Sequence, residues 1–386
     1  MSSKDIADKV AVVGIGTTNF GAMYRDLDPE RTVYDVGMEA FTKALDDSGL
    51  TRDDIDGILV TGIPDYQRTC DILGIKNPRF MNALFGGGRY APLSIMYAAM
   101  AINAGLADTI ACIYGTVGRS VHNRYGGEGS GGHPSGLNNA AYGMTSPGAA
   151  IGHMYRRYQH LYNPPETALG TFAVNSRANA MLNPQAVMRN PLTMDDYLNS
   201  RYIAEPLRLL DYCLINDGGV CLILTRADKA KDLKKPPAYI HAFASAGNTA
   251  YENGLGGTAD DGYYDSLQMV AKDLWPNSDI QKDAIDVAQI YENFTPVFLF
   301  TLEGLGFLPR GEAGHWVKPE LIDRNSKMPI NTSGGHTSES YMQGWGLLAE
   351  CVRQVRGEAG PLQIPGAETS MYANAAPISN TIIFRK

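Results

Sequence analysis

Residues 50–60, LTRDDIDGILV, and residues 280–290, IQKDAIDVAQI, share an Asp-x-Ile-Asp pattern that runs into a short apolar strand. The likeness extends in both directions. Upstream of each lies a helical stretch, VYDVGMEAFTKALDD (33–47) or YYDSLQMVAKDLW (263–275), and before that a strand, KVAVVGIG (9–16) or AYIHAFASAG (238–247). Downstream of each comes a glycine-bearing turn followed by a helix, FGGGRYAPLSIMYAAMAINAG (85–105) or SGGHTSESYMQGWGLLAECVRQ (333–354). Strands alternating with helices at this spacing predict βαβ units and parallel pairing. The chain therefore reads as two copies of one α/β motif, 1–236 and 237–386, divided at the charged, proline-ended connector KAKDLKKPP. Residues from about 116 to 210 do not fit the alternation, and GGEGSGGHPSGLNNAAYG within them reads as a lid or covering loop.

Composition removes several function classes. A formal net charge of −8 argues against a surface that neutralises phosphate backbones, so nucleic acid is not expected as a partner. The start MSSKDIADK lacks the apolar run of a signal peptide, and the most hydrophobic region is interrupted by Asn103, Gly105 and Asp108; a soluble, cytoplasmic protein with no membrane span is expected. The five cysteines, Cys70, Cys112, Cys213, Cys221 and Cys351, show no CxxC spacing and read as ordinary buried thiols. Seven scattered histidines form no HExxH pairing, so no metal is expected. VVGIGTTNFG fails as a dinucleotide fingerprint because Asn19 occupies the third glycine position.

Duplicated α/β halves place ligands where strand ends and helix starts converge. Three segments meet that description. In FGGGRYAP, Gly86, Gly87 and Gly88 let backbone N–H groups approach a ligand, and Pro92 suits the first turn of the following helix, where negative charge is favoured. In IYENFTP, Tyr291 ends an apolar strand and Glu292 follows it. In NTSGGHTSESYMQGWG (331–346), both His336 and Tyr341 can move a proton, and Gly335 marks the turn.

Together with LNPQAVMRNPLT, SRYIAEPLRLLDYCLINDGG and QIPGAETSMYANAAP, these segments resemble the thiolase superfamily over essentially the whole chain, and within it the sterol-carrier or lipid-transfer branch. The resemblance implies two βαβαβαββ halves in a five-layered αβαβα sandwich, with a loop or lid insertion in the first. It also implies where the chemistry has changed. MNALFGGGRYAP puts Phe85 at the nucleophilic cysteine, and IYENF puts Tyr291 at the first position of the H-D-C-F type motif. A gap-free match from N-T-S-G-G puts Tyr341, not His336, at the G-H-P histidine, and MYANAAP offers Asn374 where a second cysteine often stands.

Without a nucleophile, transfer through an acyl-enzyme is lost, but a site that stabilises a thioester enolate remains useful. Reversible carbon–carbon cleavage of a β-hydroxyacyl-CoA needs that and an acid/base group. The resemblance to steroid side-chain aldolases, which lack the cysteine and carry tyrosines at the former histidine positions, implies a retro-aldol cleavage of a 17-hydroxy-20-carboxyl-CoA steroid to a 17-ketosteroid and propionyl-CoA. Tyr291 and Tyr341 would be the acid/base pair, with His336, Glu292 and Asn374 in support. No cofactor is implied beyond the CoA thioester substrate. A homodimer joined through 110–115 and an OB-fold partner associated with a hydratase-type subunit are implied as well. Ionising an ordinary tyrosine at neutral pH costs about 4 kcal/mol, so such a site must favour the phenolate or relay its proton. Two other readings stand beside this one: a catalytically silent acyl-CoA or sterol-binding scaffold, and a thiolase using Cys112 or Cys351.

Overall fold

Alternation of inward faces builds the strands, interrupted in the first by a bulge between Val12 and Gly14. In β1 (Val10–Thr17), Val10 and Val12 enter one hydrophobic cluster while Ala11 and Val13 enter another on the opposite face. A computed structural model describes residues 3–88, 90–123, 146–247, 262–375 and 378–386. The further strands are β2 (Gly57–Thr61), β3 (Phe80–Leu84), β4 (Thr109–Val117), a small hairpin of β5 (Tyr202–Ala204) and β6 (Leu207–Arg208), β7 (Asp217–Arg226), β8 (Ala238–Gly247), β9 (Val287–Tyr291), β10 (Thr369–Asn374) and β11 (Ile378–Arg385). Among the described residues, all except the hairpin join in the order β3-β2-β4-β7-β1-β8-β11-β10-β9.

The echo in the sequence is a duplication in space. In the first half β3–β2 and β2–β4 are parallel, and β4–β7 and β7–β1 are antiparallel. The second half repeats these senses: β9–β10 is parallel, β10–β11 and β11–β8 are antiparallel, and the position matching β3 is reduced to one parallel bridge, Ala288 to Ile330. The halves meet where β1 pairs antiparallel with β8 through Ala11–Tyr239 and Val12–Ala238. The expectation of parallel pairing thus holds only where a helix crosses over. A connection as short as that between β10 and β11 can return the chain only antiparallel.

The helices of two or more turns are α1 (Val33–Ser48), α2 (Tyr66–Leu73), α3 (Tyr90–Asn103), α4 (Pro147–Tyr162), α5 (Ala168–Leu182), α6 (Gly262–Leu274), α7 (Pro296–Gly304) and α8 (Trp345–Arg356). Helix α1 starts at a Thr32–Asp35 capping box and stops at Gly49 in the left-handed region. It lies so close to the sheet that a Cβ on Gly16 would fall 1.8 Å from the Ala40 carbonyl oxygen. Close packing therefore explains the glycines of VVGIG. Helices α3 and α8 occupy the middle layer, where Ile95, Ala98, Leu348 and Val352 share a cluster with Val220 and Leu222 of one half and Ile382 and Phe384 of the other. An apolar helix such as α3, buried along most of its length, suits a place between two sheets. Helices α6 and α7 cover the outer face of the second half through Leu267, Val270, Phe298 and Leu302. The order helix, sheet, helix, sheet, helix follows.

Two expectations need correction. Of the stretch read as a covering insertion, GGEGSGGHPSGLNNAAYG lies outside the described residues, but 146–210 holds α4, α5 and the hairpin. Helix α5 is braced into the second half: Asn175 donates to the Ile322 carbonyl and Asn179 to those of Ile330 and Asn331. Residues 110–115 lie within β4, which is paired on both sides by β2 and β7, so they present no free edge for a dimer. The strand of this half left open on one side among the described residues is β3.

Candidate active site

The site begins where β9 ends. Ile290 turns into the outer cluster and Tyr291 into the central one, as alternation requires. Beside Ile290, the Asn331 side chain takes the place of a neighbouring strand: its Oδ1 accepts from the Ile290 N–H at 2.7 Å and its Nδ2 donates to the Ile290 carbonyl at 2.9 Å. Asn331 itself has φ +50°, which asparagine tolerates better than most residues. From this anchor the chain runs through a π-type turn, Gly335–Glu339, to Tyr341, whose N–H donates to Asn216 Oδ1 at 2.7 Å. Asn183, the residue that ends α5, steadies the run by donating to the Ser333 carbonyl and to Glu339 Oε1, each at 3.0 Å.

These constraints bring Tyr291 Oη and Tyr341 Oη to 2.7 Å. The residue reached by the gap-free count from Asn331 stands opposite Tyr291. Tyr291 is buried and Tyr341 half-buried. The glycine turn of the first half reaches the same point: a Cβ on Gly88 would fall 2.2 Å from the Tyr291 hydroxyl oxygen, at the start of α3. Gly86 lies against the Tyr90 ring and has φ +152°, while a Cβ on Gly87 would meet nothing within 4 Å. Phe85, at the position matched to the nucleophile, is 61% exposed. Asn374 is buried at the end of β10, in register with Tyr291, and its Oδ1 has no hydrogen-bond partner among the described residues.

His336 lies beside both phenols, away from solvent. It is 1% exposed, with its ring edge-on to Tyr291 (4.6 Å between centroids) and to Tyr341 (5.1 Å). Its Nε2 accepts the Gly344 N–H at 3.2 Å, which leaves the ring proton on Nδ1, 3.6 Å from Glu292 Oε2. Burial pushes the His336 pKa down to about 3, so the contact is not a charge pair. Glu292 is wholly buried and burial raises its pKa well above the usual range. Gly335, which marks the turn, seats this carboxyl group: a Cβ there would fall 2.0 Å from Glu292 Oε1.

Tyr372, which sequence reasoning passed over, is a third buried phenol in the central cluster with Tyr291. It has no hydrogen-bond partner for its hydroxyl among the described residues. Its place two residues before Asn374 on an alternating strand is the signal that could have found it. Among the cysteines, Cys112 and Cys351 are buried and burial pushes both thiols up, so neither carries the thiolate a thiolase needs. No group of three or more His, Cys, Asp or Glu among the described residues could hold a metal, and none of the helices is long and apolar enough to cross a membrane.

Glu339, two residues before Tyr341, gives the loop a pH-dependent stability. Burial raises its pKa to about 7 from the usual glutamate value near 4.5. Between those values the folded chain keeps a proton that the unfolded chain releases, so stability falls as pH rises and levels above about 7. Glu339→Gln retains an acceptor for Asn183 and removes the titration. Unfolding free energies in urea should favour the variant over the wild type by on the order of 3 kcal/mol more at about pH 8 than at about pH 4. Parallel pH profiles would contradict this.

Comparison with known proteins places the chain among its relatives. Residues 260–383 match the thiolase C-terminal domain-like family. The chain is 33% identical over 370 residues, covering 91% of it and 92% of the relative, to the 17-hydroxy-3-oxo-4-pregnene-20-carboxyl-CoA lyase of Mycobacterium tuberculosis. It is 32% identical over 394 residues, 97% of each chain, to the steroid side-chain-cleaving aldolase of Thermomonospora curvata. Among solved structures it resembles the Ltp2-ChsH2(DUF35) aldolase with a TM-score of 0.86 and 29% identity, over 98% of both chains.

Proposed function

This chain belongs to the steroid side-chain aldolase family of thiolase-like proteins, and from that premise we propose that it is a carbon–carbon lyase acting on a β-hydroxyacyl-CoA, the 17-hydroxy-20-carboxyl-CoA steroid. The observation that carries the reading is the 2.7 Å contact between two phenolic oxygens where a thiolase would hold its acid/base groups, with Phe85 in place of the thiol.

The step balances without a covalent intermediate. One phenolic oxygen takes the proton of the 17-hydroxyl. The C17–O bond becomes a carbonyl, the C17–C20 bond breaks, and its electron pair enters the thioester as an enolate. A phenol proton then goes to C20, releasing propionyl-CoA and the 17-ketosteroid. Because the oxygens share one hydrogen bond, a proton accepted by one can be supplied by the other, and the pair ends as it began. The turn at Gly88, at the start of α3, adds backbone dipoles beside the Tyr291 oxygen, where negative charge is favoured.

The same reading carries the partners and setting: an acyl-CoA steroid substrate, a cytoplasmic location, a homodimer, and an OB-fold partner of the kind that the DUF35 component of the solved aldolase suggests. The open side of β3, flanked by exposed Met81 and Phe85, is the edge assigned to the homodimer in place of 110–115.

One experiment tests the whole. Purified protein, alone and with an OB-fold partner, is given 17-hydroxy-3-oxo-4-pregnene-20-carboxyl-CoA, while light scattering reports its oligomeric state. Equal amounts of propionyl-CoA and ketone are expected, unaffected by iodoacetamide. Absence of product in both preparations would leave the scaffold reading, and an acyl adduct on a cysteine would restore the thiolase one.

A further inference from the structure

We propose that Glu292 is the positioning residue of this site: its carboxylate fixes both the turn that leads to Tyr341 and the ring proton of His336, and through them the contact between the two phenols. The inference rests on the aldolase reading for its kinetic part and on the geometry alone for the rest.

Glu292 stands at the centre of the loop without touching the open side of the site. It directly follows Tyr291 at the end of β9, yet it is wholly buried. Its Oε1 accepts the His336 N–H at 2.5 Å, and Thr337 and Asn331 lie beside the carboxyl group. A backbone amide bonded to the carboxyl oxygen pins this side chain inside the π-type turn. Gly335 is required because any side chain would enter the space of Oε1, and its φ of +62° is one that glycine adopts without strain. The turn is therefore wrapped around the carboxylate, not the reverse.

The second oxygen acts on the imidazole. Gly344 N–H occupies the lone pair of His336 Nε2, so the ring proton sits on Nδ1 and points at Glu292 Oε2 across 3.6 Å. The ring is held at Nε2, its Nδ1 stands beside Glu292 Oε2 at a distance too long for a hydrogen bond, and its faces and edges are what Tyr291 and Tyr341 pack against. A turned or displaced imidazole would move both phenols. Since these oxygens meet at 2.7 Å, a shift of even one ångström, of the size that costs about 100-fold in well-oriented sites, would open the contact.

Glu292→Gln separates this role from simple filling. Its amide oxygen can still accept the His336 N–H, but its NH2 then opposes Nδ1–H, donor against donor. The ring must shift its proton to Nε2, against Gly344 N–H, or rotate. The measurement is the 15N spectrum of the imidazole nitrogens, assigned by the signal lost in His336→Asn, together with kcat and KM. In the wild type the proton is expected on Nδ1; in Glu292→Gln the pattern should change, kcat should fall at least about tenfold, and KM should stay within about threefold. A wild-type proton on Nε2, or a Gln variant with unchanged ring signals and kcat, would overturn the proposal. The wild-type spectrum decides the point even if the variant folds poorly. If the wild-type protein releases no propionyl-CoA, the aldolase reading fails while the ring signals still report on Glu292.

Discussion

Tyr291→Phe and Tyr341→Phe should each lower kcat for cleavage by at least about 100-fold, the usual effect of removing an acid/base group. Both changes delete one oxygen and keep the ring, so the packing of Tyr291 in the central cluster and of Tyr341 against His336 is preserved. The stability cost should be about 1 kcal/mol, that of one hydrogen bond, which a urea titration would resolve. The double variant makes the sharper test. Two groups that work as one unit lose most of their effect together, so Tyr291→Phe/Tyr341→Phe should be little slower than either single variant. Multiplicative losses would mean that the phenols act separately and that their 2.7 Å contact has no part in proton transfer. Full activity in both single variants would remove them from the reaction.

Gly88→Ala should be nearly as damaging, although it adds only a methyl group. The new Cβ would lie 2.2 Å from the Tyr291 hydroxyl oxygen and 2.3 Å from Cζ, distances that force the phenol aside. Tyr291 has little room to yield, since it is packed in the core and its ring meets His336 edge-on. A kcat loss of about 100-fold is expected from such a displacement. Gly87→Ala, one residue away with nothing within 4 Å of its Cβ, should behave as the wild type. If the two alanine variants were equally active, the glycine turn of the first half would not belong to the site.

Much of this was legible in the chain because it depends on local spacing. The Asp-x-Ile-Asp echo marks the start of β2 and β9, the same strand of the two halves, and alternation along AQIY is enough to turn Tyr291 inward. The unbroken count from Asn331 to Tyr341 placed the second phenol. What was hidden depends on contacts between distant segments. Nothing in NTSGGHTSESY says that His336 will be sealed from solvent, because its neighbours Glu292 and Gly344 come from either side of a turn whose shape the carboxylate itself sets. Nothing in the local sequence marks Asn179 or Asn183, and only the fold brings them to the backbone of 330–333. Residues 110–115 read as a free edge because an apolar strand reads the same whether it has one neighbour or two; β4 has two.

The Asn331 side chain, standing in for a strand beside Ile290, has one more consequence. Two peptide ladders can slip past each other by a pair of residues and find equivalent partners again. A single carboxamide bonded to both backbone groups of one residue offers no such second setting. It acts as a registration pin between the end of β9 and the segment that follows Asn331, so the reach from Asn331 to Tyr341 is counted from a fixed origin. An inserted or deleted residue between them would unseat the second phenol without disturbing a strand of the sheet.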